Sequence, residues 1–147
     1  MKDALALHFS SLTTPEQAQQ HVVRVRFAEA LARQSALTQG NDEEVHAFRL
    51  ACKRLRFAIE RLENPEPSLQ TAAKILGRLT DELGGAHDCA ELAKLASECG
   101  APLVTQRALH DRDRYVTRAA RLWRRAFREE GAFAALATYA GFTWSTT

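Results

Sequence analysis

The sequence predicts an all-α protein, an antiparallel helical bundle of four main helices with short terminal helices. Three observations carry this. Prolines, glycines and capping residues divide the chain into segments of helical length. Apolar residues within those segments recur every three or four positions, and no stretch alternates cleanly enough to be a strand. At 147 residues and 46% hydrophobic side chains, the chain suits one domain, residues 1–147, with a real core.

The elements follow in order. A short helix is expected before Ser10. Thr14 can then cap a helix that has Pro15 at its first position and Gln17 reaching back, a capping-box pattern. That helix is expected to run to about Thr38 and stop at Gly40-Asn41. A second starts near Asp42 and continues to about Glu63, where Asn64-Pro65-Glu66-Pro67 ends it. Ser68 can cap a third, which Gly84-Gly85 should terminate. Asp88 with Glu91 three residues on reads as a new cap, opening a short helix that Gly100 closes. Pro102 begins a long helix to about Glu130, followed by a weak helical segment after Gly131 and a frayed tail.

Composition excludes several classes. No apolar run approaches the roughly 20 residues of a membrane span, and the first residues lack a signal peptide's apolar stretch. The expectation is a cytoplasmic protein without membrane contact. Cys52, Cys89 and Cys99 form no CxxC pair, and an odd count argues against a disulfide framework; buried thiols are the plain reading for two of them. There is no phosphate-cradling glycine loop, no nucleophile elbow and no carboxylate cluster suited to Mg²⁺, so catalysis is not expected. His46, His87, Asp88 and His110 show no ligand spacing on one helix, so neither a metal nor another cofactor is expected.

Net charge is only +2, yet the charges are unevenly placed. On the second helix His46, Arg49, Lys53 and Arg56 fall within about 80° of one another. Arg54 and Arg61 flank this stripe, while Phe48, Cys52, Leu55, Ile59 and Leu62 take the opposite, core side. A solvated helix face normally mixes acids with bases at four-residue spacing. Between His46 and Glu60 this helix has no acid. Such crowding of like charge suggests a counter-anion.

The long helix repeats the pattern. From Arg107 to Arg128 there are eight arginines and two acids, Asp111 and Asp113. Arg107, Arg114, Arg118, Arg121, Arg125 and Arg128 line a stripe about 80° wide and roughly 30 Å long, with Val116, Ala120, Trp123 and Phe127 on the other side. Lys74 and Arg78 add a basic turn to the third helix. Rows of guanidinium forks suit an extended phosphate polymer. The same rows also serve as solubilising surfaces or salt-bridged interfaces, and spacing alone weighs the two readings evenly.

The stretch Val45-His46-Ala47-Phe48-Arg49-Leu50-Ala51-Cys52-Lys53-Arg54-Leu55-Arg56 resembles the signature of the CHAD family, the histidine-containing α-helical domain. That signature reads approximately V-H-x-x-R-V-x-x-[RK]-R-L-R, and nearly every specified position matches. Leu83-Gly84-Gly85-Ala86-His87-Asp88 resembles the family's L-G-x-x-R-D segment, with His87 where arginine is usual, which makes the charge there pH-dependent. The resemblance runs from about residue 15 to 128. It implies a non-catalytic domain that binds inorganic polyphosphate on basic helix faces, and association with polyphosphate granules. It places His46, Arg49, Lys53, Arg54 and Arg56 in the anion site, with His87 from the second segment, and the charge pattern adds Lys74, Arg78, Arg114, Arg118, Arg121 and Arg125. Members of the family typically carry two helical bundles around a basic groove, whereas this chain supplies one, so a homodimer is expected to rebuild the groove.

Two competing readings remain at this point. A histidine phosphotransfer module with His46 as acceptor would also be a four-helix bundle, but Leu50 stands four residues on, where such modules carry glycine. Nucleic acid is disfavoured as the polyanion. No base-reading Asn or Gln accompanies the arginines, and no stacking aromatic is interleaved with them.

Overall fold

The computed structural model describes residues 4–9, 14–128 and 130–143. Among them every regular element is a helix: α1 Pro15–Ala32, α2 Ala36–Gln39, α3 Asp42–Glu60, α4 Pro67–Glu98, α5 Pro102–Ala126 and α6 Ala134–Tyr139. The all-α expectation holds. Residues 4–9 carry no helix, against the short one expected before Ser10, and part of the tail lies outside the described residues.

Two capping boxes set the first starts. The Gln17 N–H donates to Thr14 Oγ1 at 3.1 Å, while Gln17 Oε1 accepts from the Thr14 N–H at 3.3 Å. Asn41 and Glu44 make the same reciprocal pair at the head of α3, at 2.9 and 3.1 Å. Each box satisfies two otherwise orphaned groups of a helix end.

The first helix stops at Ala32 rather than near Thr38. A turn at residues 33–35 redirects the chain so that Ala36 and Leu37 become buried, and Gln34 Oε1 accepts from the Trp123 indole N–H at 2.9 Å. At the end of α3, Asn64 adopts φ 48, the left-handed turn conformation that asparagine tolerates. Glu66, not Ser68, occupies the N-cap position of α4, without a side-chain capping bond, and Pro67 stands in the first turn.

The larger correction concerns Gly84-Gly85. They do not end a helix; α4 continues through them for 32 residues, which leaves Asp88 exposed in its middle rather than at a cap. The missing side chains serve packing instead. A Cβ on Gly85 would stand 2.4 Å from the Tyr115 ring of α5, so glycine is what lets the two helices approach here. Tertiary contact thus overrides poor local propensity. Gly100, at φ 69, then ends α4, and the Ala101 N–H reaches back to the Ala96 carbonyl at 2.8 Å.

α4 is the central element, packed between α3 and α5, while α1 covers the other flank of α3. The contacts Arg56 to Gly77 and Arg49 to Gly84, and the stacked pair His46 and His87, step in opposite directions along α3 and α4. The two helices are therefore antiparallel. Gly85 with Tyr115 and Glu82 with Arg118 show the same for α4 and α5.

One core draws on all six helices. Phe48, Cys52, Leu55 and Ile59 of α3 are fully or almost fully buried, as their spacing predicts, against Leu76, Leu79 and Leu83 of α4. Burial pushes the Cys52 thiol well above its ordinary pKa. Trp123 meets Phe48 edge-on at 5.1 Å and Phe133 at 5.5 Å, closing α5 and the C-terminal turn over this layer. Among the described residues no helix is long and apolar enough to cross a membrane.

Candidate functional site

The seam between α3 and α4 gathers the residues of the first motif. Arg49 lies over Gly84, and its Nε–H donates to the Thr80 carbonyl at 3.3 Å. Arg56 lies over Gly77 in the same way. Its Nε is 3.4 Å from Glu60, and its guanidinium carbon is 5.0 Å from the centre of the Phe57 ring. Lys53 approaches that ring too, with Nζ at 5.7 Å. At the far end of the seam the His46 and His87 rings stack at 4.5 Å with an interplanar angle of 29°. Burial first, then His87 and Arg49, hold the His46 pKa below the ordinary histidine value, against an opposing pull from Glu91.

α4 forms the floor. Lys74, Gly77, Asp81, Gly84 and Asp88 follow one another at spacings of three and four, which puts them on one face. Lys74 shares a cleft with Arg56 and Gln70. Arg78 lies toward α5, where it lines a second cleft with Arg125 and Arg128. Asp81 and Asp88 are exposed on the same floor, so the surface is not purely basic.

On α5 the stripe Arg107, Arg114, Arg118, Arg121, Arg125 is exposed throughout, and the helix ends at Ala126, short of Arg128 and of the expected Glu130. Not all of it is free charge. Arg118 pairs with Glu82 at 2.8 Å and lies over the Tyr115 ring at 4.6 Å; the hydrogen bond to Glu82 raises its pKa. Arg107 pairs with Asp111 at 3.1 Å. Among the described residues Arg49, Lys53, Lys74, Arg78, Arg114, Arg121 and Arg125 have no carboxylate at ion-pair distance.

One residue of the motif is placed elsewhere. Arg54 faces α1, where it bonds the carboxylate of Glu29, a side chain only 1% exposed that Arg26 also holds at 3.1 Å. Sequence spacing put Arg54 on the flank of the stripe but carried no sign of its partner, since Glu29 belongs to another helix. Two aromatic side chains also differ from expectation. Phe57 and Tyr115 do lie among the cations, on α3 and α5 respectively. The glycines under the arginines were equally missed, although the matching seven-residue spacings, 49 to 56 and 77 to 84, were present to be read.

An all-α bundle with cations from three helices arranged along α4 defines a polyanion-compatible helical domain. The family model described as CHAD domain matches residues 2–97, and the chain belongs to that family, which is associated with polyphosphate binding. The match contains α3 and nearly all of α4 but ends before α5, where the sequence resemblance was expected to reach about residue 128. Comparison with curated proteins and with solved structures gave no match.

Proposed function

We propose that this domain captures inorganic polyphosphate electrostatically and performs no chemistry on it. The observation that carries the reading is the set of cations without carboxylate partners on α3, α4 and α5, disposed along one central helix. Like charges held together by packing repel one another in the free protein, and an extended polyanion relieves that repulsion while releasing its own counterions. Guanidinium groups add directional bonds, because each fork can engage two phosphate oxygens. His46 Nδ1 is buried without a hydrogen-bond partner among the described residues, which leaves it capacity toward a ligand, whereas Arg56 Nε stands 3.4 Å from the Glu60 carboxylate. Such capture would suit a protein that associates with polyphosphate granules in the cytoplasm.

The test is a titration with polyphosphate of defined length across a salt series. Arg49→Ala combined with Arg56→Ala is expected to weaken binding and to flatten the slope of log affinity against log salt by roughly 1.5–2. The variant should remain folded, since neither guanidinium is part of the core. Unchanged calorimetric binding in the double variant would sink the site. The phosphotransfer alternative has less to support it, because the His46 ring is half-buried and stacked on His87.

A further inference from the structure

α3 and α4 share a number. Arg49 and Arg56 are seven residues apart on one, and Gly77 and Gly84 are seven apart on the other. Because the helices are antiparallel, equal spacing keeps both arginine–glycine pairs in register. A Cβ on Gly84 would meet Arg49 at 3.5 Å from Nε and 3.7 Å from Nη2. One on Gly77 would meet Arg56 Nη1 at 3.4 Å and Cδ at 3.8 Å. An alanine methyl would just touch the guanidinium, and any longer side chain would have to lift it.

Glycine inside a helix is unfavourable relative to alanine, so its presence twice, each time beneath an arginine, points to a use. The arginines are held down from other sides as well. The Thr80 carbonyl fixes Arg49, and the Phe57 ring and Glu60 flank Arg56. Seven residues along a helix separate the two points by about 10.5 Å.

We infer that Gly77 and Gly84 are positioning residues that seat Arg56 and Arg49 flat on α4, as two anion stations a fixed distance apart for one extended phosphate chain. The inference rests on the polyphosphate reading above. A chain that engages one station meets the second at high effective concentration, so affinity depends on both arginines being held where the glycines place them.

A double-mutant cycle with long-chain polyphosphate as the probe tests this, with thermal melting as a check on folding. Gly84→Leu is expected to weaken binding about as much as Arg49→Ala does, on the order of tenfold for a charge-assisted bond. In an Arg49→Ala background Gly84→Leu should cost nothing more, and Gly84→Ala should bind nearly as the natural chain. If Gly84→Leu fails to fold, Gly77→Leu with Arg56→Ala makes the same cycle at the other station. A leucine variant that binds normally overturns the inference, as does an equal loss with and without Arg49. If both Arg→Ala variants bind as the natural chain does, the polyphosphate site itself is wrong and the inference goes with it.

Discussion

At the scale of single residues, His46 links the site to pH. Its pKa is lowered in the folded protein, by burial and then by His87 and Arg49. Lowering means the unfolded chain takes up this proton more readily. The contribution of His46 to stability is therefore present above the ordinary histidine value and is lost as pH falls through the lowered one. A bound phosphate reverses the balance, because it favours the charged ring. Polyphosphate binding should accordingly take up protons and tighten as pH falls from about 7.5 toward 5.5. Calorimetry in buffers of different ionisation enthalpy measures that uptake, and His46→Gln should reduce it. Uptake of the same size in His46→Gln would remove His46 from the site. His87, Arg49 and Glu91 act on His46, and Asp42, Glu43 and Lys94 line the same cleft, so His87→Gln is the companion control.

Between helices, the same motif divides its arginines between two tasks. Arg49 and Arg56 face α4, whereas Arg54 turns to α1 and holds the buried Glu29 together with Arg26. Removing Arg54 takes one of two cations from the buried Glu29 carboxylate and leaves it only partly compensated, by Arg26. Arg54→Ala is expected to lower stability by about 2–3 kcal/mol in denaturant unfolding, allowing for the partial exposure of Arg54, with polyphosphate affinity changed less than twofold. A large loss of affinity at unchanged stability would return Arg54 to the anion surface. What the sequence could reveal here follows from locality. The capping boxes at Thr14 and Asn41, and the apolar face of α3 through Phe48, Cys52, Leu55 and Ile59, depend on neighbours a few residues away, and all were readable. The passage of α4 through Gly84-Gly85 depends on Tyr115, thirty residues downstream, and so was not. Glu29 escaped notice for the same reason: a carboxylate among alanines on α1 gives no local sign that an arginine of α3 will cover it.

For the whole molecule, the basic face belongs to one bundle, while the family resemblance implies two bundles around a groove. A second copy of the chain would supply the facing wall. Leu92 and Leu95 near the end of α4, and Leu103 and Val104 at the start of α5, are exposed large apolar side chains, with Leu103 reaching 80%. We propose that they form the self-complementary contact of a twofold dimer with that copy. Light scattering at high micromolar concentration is expected to give a dimer, and Leu95→Glu with Leu103→Glu a monomer; a monomeric natural chain would refute it. The continuous α4 has a final consequence of a mechanical kind. About 48 Å long at the usual helical rise, it carries Lys74, Arg78, the two arginine seats and His87 on a single uninterrupted beam. Loops elsewhere can fluctuate without altering the intervals between those points. The domain would therefore meet a pliable polymer with a stiff template, and the ordering would fall on the ligand rather than on the protein.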